Sequence, residues 1–208
     1  LYPRYFDISN IQSGKDNPRR YRFVEFPIYN AAQAGMFGLL GQLGITLEQS
    51  GRLISIFSTL AGAYFVYLLT KKYANSPAGE FAAFFYLFLP FSIFYGRTIL
   101  PDPSMVGSIL AGIYFLDKWI EANSKFKSQK SKFKFKSQKF FVLSMIFTAL
   151  AFLLKPFALF FALPMVYLAW REFGFELFKK WQLWLFGILV ITPLLLWRWW
   201  IGHFPEGI

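Results

Sequence analysis

Apolar residues run along this chain in blocks too long and too continuous for helices that bury only one side. An α-helix rises about 1.5 Å per residue and a hydrocarbon core is about 30 Å thick, so a crossing helix takes roughly 20 mostly apolar residues. Residues 51–70, 81–95 with its flanks, 104–120 and 183–200 have that character. The stretch 140–170 is too long for one helix, and as one helix it would hold Lys155 near mid-membrane at a cost of about 3 kcal/mol. Divided at Lys155 and Pro156 it gives two shorter spans, with the lysine at a boundary and the proline at a helix start, where its missing N–H does little harm. The pattern therefore predicts six crossing helices within residues 51–201. Residues 28–45 are moderately apolar and rich in Gly and Ala, but Asn30, Gln33 and Gln42 interrupt them, which predicts a helix lying along the membrane surface.

Charge then orients the bundle, because short cytoplasmic loops gather Lys and Arg. Lys71 and Lys72, the seven lysines of residues 125–139, and Arg171 with Lys179 and Lys180 fall on one side, read as cytoplasmic. The opposite loops hold Arg97 and Asp102, then Lys155, then His203 and Glu206, and residues 1–30 lie with them outside. The expected organisation is one transmembrane domain over residues 1–208. Residues 1–50 are its outer loop and juxtamembrane helix, 121–139 a basic cytoplasmic loop, and 202–208 the start of another outer loop. The fold class is an all-α, polytopic transmembrane bundle.

Composition agrees. The chain is 56% hydrophobic and 16% charged, where a soluble domain carries roughly 25% charged residues. Many of its 28 Phe and seven Trp lie near the ends of apolar runs, where amphipathic rings favour the headgroup region. The net charge of +11 does not make it a nucleic-acid binder, since the excess is concentrated in the lysine block. That block holds FKSQK at 126–130 and again at 135–139, a low-complexity loop with weak attraction to anionic lipid. Without cysteine there is no disulfide, thiolate nucleophile or Cys-based metal site.

No Gly-rich phosphate loop or H-E-x-x-H motif appears, and the single histidine is His203. Candidate chemistry therefore rests on polar residues of the outer loops. Glu25 lies in V-E-F-P, Asp102 in G-R-T-I-L-P-D-P-S and Lys155 in L-L-K-P-F. Each has a plain structural reading as well: a loop carboxylate, a helix cap, and a lysine snorkelling from an apolar run. Three residues far apart in sequence nevertheless reach one face under this topology. A carboxylate can take a proton from an attacking hydroxyl, and Lys or Arg can stabilise charge growing on a leaving phosphate. Arg52 and Arg97, at outer helix ends, are further phosphate ligands or interface anchors.

The order E-F-P-I-Y, a surface helix, F-G-L-L-G, S-G-R-L-I-S-I, Y-G-R-T-I-L-P-D-P-S and L-L-K-P-F-A-L-F-F-A-L-P resembles the polyprenyl-phosphate-sugar glycosyltransferases of the GT-C fold, relatives of protein O-mannosyltransferases and of the lipid A aminoarabinose transferase. The resemblance covers almost the whole chain. It implies a membrane enzyme that transfers a sugar, with inversion, from a polyprenyl-phosphate donor to a hydroxyl of a glycan, lipid or protein acceptor, at a site facing away from the cytoplasm of a bacterial plasma membrane. Glu25, Asp102 and Lys155 match the family's acidic and lysine positions, with Arg97 and Arg52 beside them on the phosphate and a divalent cation near Glu25 as a possible cofactor. The aminoarabinose branch has Glu-Lys-Pro where this chain has Glu25, Phe26 and Pro27. The acidic pair that supplies the family's base falls before Leu1, and Asp7 and Asp16 lack acidic neighbours. The chain accordingly reads as a fragment truncated at both ends and inactive alone. The rivals are a transporter or flippase, which places ionisable groups within spans, and a structural subunit, in which the three residues lie apart.

Overall fold

The computed structural model describes residues 25–125 and 132–204, with side chains described for 25–123 and 138–204. The expectations for residues 1–24, for Asp7 and Asp16, for the first FKSQK copy and for Glu206 lie outside these residues. Among the described residues the structure is helical without strands: α1 (Ile28–Leu40), α2 (Leu47–Tyr73), α3 (Ser76–Phe88), α4 (Pro90–Tyr95), α5 (Asp102–Lys125), α6 (Lys132–Leu154), α7 (Ala162–Phe173) and α8 (Trp181–Ile201). Short 3-10 segments at Gly41–Leu43, Pro156–Phe161 and Gly174–Lys179 join them.

Local chemistry sets these boundaries. At Thr46 the side chain accepts from Gln49 N–H at 3.2 Å while Gln49 Oε1 accepts from Thr46 N–H at 2.8 Å, a reciprocal box that starts α2. Glu48 in its first turn and Lys71 and Lys72 in its last complement the helix dipole. At 27 residues α2 is about 40 Å long, enough to cross a bilayer and carry both charged ends out of it. The segment expected as one span over 81–95 is two helices. Leu89 is extended (φ −62°, ψ 137°) because the ring of Pro90 crowds the helical conformation of the residue before it. The left-handed Gly44 (φ 83°) ends the α1 region, a conformation that costs Gly nothing.

Among the described residues the helices run back and forth six times, with α3 and α4 together forming the second run, beside α2, and Pro156–Phe173 the fifth. Three of these segments are long and apolar enough to cross a membrane: Leu47–Tyr73, Pro156–Lys179 and Trp181–Ile201; Gln138–Leu154 is a shorter apolar helix. Helix α5 is the hub, packing against α2, α6 and α7. Its buried face carries Met105, Ile109, Ile113, Leu116, Trp119 and Ile120. Gly107 lets α5 approach the backbone of Ser58 on α2, and Gly112 lets it approach Thr148 on α6; a Cβ at either would collide. Small residues at such crossings are how helices pack when lipid removes the hydrophobic drive. Outward-facing Phe81, Phe84, Phe85 and Phe88 on α3 and Ile188, Leu195, Leu196 and Trp199 on α8 are exposed. Only 17–22% of the most apolar windows of the three long segments is buried within the protein. A surface of that kind is an aggregation hazard in water and an ordinary one in a bilayer. The all-α membrane bundle follows.

Candidate functional site

Four prolines build one corner of this bundle. Pro27 precedes α1, Pro101 and Pro103 bracket Asp102 at the start of α5, and Pro156 opens the 3-10 segment after α6. Lys155 sits before Pro156 in extended conformation (φ −150°, ψ 122°), its N–H still closing α6 on Ala151 C=O at 3.0 Å. Being forced out of the helix by the following proline, its side chain is directed away from α6. It reaches α5, where the ammonium lies 2.8 Å from both Oδ1 and Oδ2 of Asp102. Glu25 Oε1 lies 3.6 Å from the same ammonium, a charge contact longer than a normal hydrogen bond. Phe26 N–H donates to Leu153 C=O at 3.3 Å and so pins the Glu25 segment to the end of α6.

All three side chains are about one-third exposed, between 27% and 35%, so ligand can reach them. Burial pushes the Glu25 carboxyl above its ordinary value; Lys155 pulls it back and the Asp102 charge pushes it further up. Burial works against the Lys155 ammonium, but its hydrogen bond and charge contact with Asp102, then Glu25, outweigh it and raise the lysine net. Two carboxylates face one ammonium. The N-termini of α1 and α5 close on the same corner, and the positive ends of their helix dipoles favour an anion there.

Two further sequence candidates are not drawn into this cluster. Arg52 is exposed and bonded to Glu48 one turn before it, at 2.7 Å. Arg97 is exposed on the α4–α5 connection, five residues before Asp102, and forms no ion pair among the described residues. Asp102, read from sequence as a possible helix cap, directs its carboxylate to Lys155. Around Glu25, where a cation was expected as a possible cofactor, no three His, Asp or Glu side chains come together among the described residues; the ammonium of Lys155 lies between the two carboxylates.

Sequence reading missed the support of this corner. Tyr29 of α1 is buried, with its hydroxyl 2.9 Å from Gly51 C=O and 2.8 Å from Ser55 Oγ, and Ser55 in turn donates to Thr98 C=O at 2.6 Å. Each hydroxyl has one proton, so this chain fixes α1 to α2 and α2 to the connection that leads into Asp102. The signal was a tyrosine among the small residues of 28–45. An apolar crevice of about 380 Å³ also starts at this corner, between Ile28, Tyr29 and Ala32 of α1 and facing residues of α2, α5 and α6.

With this geometry in place, comparison with known proteins decides the relationship. The family model described as dolichyl-phosphate-mannose-protein mannosyltransferase matches residues 27–200. The chain belongs to that family. No curated protein and no solved structure matches it. Membership establishes a GT-C glycosyltransferase-like membrane protein, and the matched region contains Asp102 and Lys155 and begins two residues after Glu25.

Proposed function

We propose that this protein transfers a sugar, mannose by the family's description, from a polyprenyl or dolichyl phosphate to an acceptor hydroxyl on the non-cytoplasmic face of the membrane. The observation that carries this reading is the meeting of Glu25, Asp102 and Lys155 at one accessible corner. In the proposed reaction the acceptor oxygen attacks the anomeric carbon and its proton passes to Glu25, the more loosely held carboxylate. The bond from that carbon to the phosphate oxygen breaks, its electron pair leaving with the lipid phosphate, and the configuration inverts. Lys155 stabilises the charge on the departing phosphate, aided by the positive dipole ends of α1 and α5. Asp102 holds Lys155 in place. Displacing Glu25 from the ammonium requires giving up only the 3.6 Å contact, so phosphate can enter without breaking the Asp102 pair.

The test uses the full-length protein in proteoliposomes with polyprenyl-phosphate [14C]mannose and candidate acceptors. Lys155→Gln is expected to lower transfer by about 10²–10³, as the loss of one preorganised charge donor does. Turnover equal to the unaltered protein would overturn the assignment of Lys155. Absence of lipid-phosphate release by the unaltered protein would overturn the reaction.

A further inference from the structure

The crevice at the Glu25 corner has a direction, and three helices agree on it. Its α2 lining is Ile54, Phe57, Ser58, Ala61 and Phe65, spaced as one helical face; its α5 lining runs from Ser104 to Ala111; its α6 lining runs the opposite way, from Leu154 to Phe147. Ser104 is two residues from Asp102, and Leu154 is next to Lys155. The crevice therefore starts under the ionic cluster and ends at Phe65, Ala111 and Phe147. From Ile54 to Phe65 is eleven residues, about 16 Å along the axis. Aromatic rings close the far end: Phe65 lies 5.6 Å from Tyr114 and 5.8 Å from Phe115 between centroids, and Phe147 lies 5.8 Å from Phe115. The hollow exists because Ala32, Ala61, Ser108 and Ala111 are too small to fill it. Phe57 and Ala61 are exposed, so it is open sideways toward lipid.

We infer that this crevice reads only the first few isoprene units of the donor lipid, and that Phe65 and Phe147, as its floor, set that length. The inference rests on the function proposed above. An isoprene unit adds four chain bonds, on the order of 5 Å when extended. A crevice about 16 Å long thus takes roughly three units beyond a phosphate held at Lys155. Further units meet the ring floor and turn out past Ala61 into the bilayer, where they gain nothing, since lipid tails are as apolar as the crevice wall. Specificity then lies in the phosphate-proximal units and is blind to total chain length.

Competition binding on the complete protein in a fixed detergent tests this, using geranyl, farnesyl, geranylgeranyl and undecaprenyl monophosphates against a labelled polyprenyl phosphate. Affinity is expected to rise at least about ten-fold from geranyl to geranylgeranyl, as added units are buried, and to change by less than about two-fold from there to undecaprenyl. Ala61→Phe, which fills the crevice midway from its open side, should reduce the longer lipids to the affinity of geranyl phosphate. Phe65→Ala with Phe147→Ala should move the levelling point to longer chains; where that pair fails to fold, Ala61→Phe decides. Affinity that keeps climbing to undecaprenyl phosphate, or an Ala61→Phe protein with unchanged length dependence, would overturn the inference and leave the proposed reaction standing. Failure to bind any of the four lipids would overturn the proposed function, and this inference with it.

Discussion

Helix α5 carries an ionic centre near each end, and the two are built on opposite plans. They lie fifteen residues apart, at Asp102 and Asp117, or about 22 Å along the helix. Asp117 is buried, its side chain 3% exposed, and it accepts hydrogen bonds from Lys72 and from the Tyr73 hydroxyl, the latter at 2.5 Å. Glu121 adds a contact to Lys72 at 3.2 Å, and Arg171 of α7 donates to the Tyr73 hydroxyl at 3.1 Å while lying over its ring. That centre ties α2, α5 and α7 together and leaves Asp117 no room for a ligand. At the other end Asp102, Lys155 and Glu25 are about one-third exposed, and one of their contacts stretches to 3.6 Å. A saturated, buried centre holds helices, whereas an accessible one with slack can exchange a partner for substrate.

The comparison fails first if the two centres do not lie on opposite sides of a membrane. Since the chain has no cysteine, Lys71→Cys and Gly202→Cys report sidedness without background. An impermeant thiol reagent is expected to label one from outside and the other only after permeabilisation. Labelling of both from one side would remove the topology on which the outward-facing site depends.

Next in size is the cost of breaking the buried centre. Asp117→Ala removes the buried carboxylate to which Lys72 and the Tyr73 hydroxyl donate, and since both donors are exposed enough to turn to water it should destabilise the folded protein by about 1–3 kcal/mol, the worth of hydrogen bonds to a charged group. Denaturant titration in detergent measures this. Binding of polyprenyl phosphate to the remaining folded fraction should be unchanged. A loss under about 1 kcal/mol would place Asp117 with surface ion pairs instead.

How much of this was legible in the sequence follows from what each feature depends on. Apolar run length marked the passes, because crossing a slab is a one-dimensional requirement, and Lys155 was found by the cost of burying it. The break at Pro90 was missed because a run of apolar residues masks a local steric rule. Asp117 was overlooked inside the 104–120 run and its C-terminal flank, where a lone acid amid apolar residues signals a buried partner; finding that partner, Lys72, required knowing how α2 and α5 pack. For the accessible centre, residue identity was readable at Glu25, Asp102 and Lys155. Their mutual distances were not, and neither was the pairing that takes Arg52 to Glu48.

A smaller effect is expected at the accessible centre. Asp102→Asn should change stability by no more than about 1 kcal/mol, because the pair is partly hydrated and water screens what is lost. Its functional consequence is a split: lipid-phosphate affinity rises slightly, as Lys155 keeps more of its charge for the ligand, while transfer falls because the ammonium is no longer fixed. Parallel loss of affinity and transfer would show Asp102 to be a contact for substrate rather than the holder of Lys155.

The finest discrimination comes from pH at Glu25. Its carboxyl is raised in the folded protein, by burial first and by the Asp102 charge, against the opposing pull of Lys155. The folded state thus holds the proton more tightly than the unfolded one, so the stability this group contributes is complete below its ordinary value of 4.5 and is lost as pH rises through the raised folded value. Catalysis runs the other way. A proton acceptor must be ionised, so kcat/KM should climb across the same window in which that stability declines. Glu25→Gln should abolish both dependences, and Asp102→Asn, by removing a charge that raises Glu25, should move the acid limb of kcat/KM to lower pH. An acid limb that persists unmoved in Glu25→Gln would assign the proton to another group and leave Glu25 as a positioning contact.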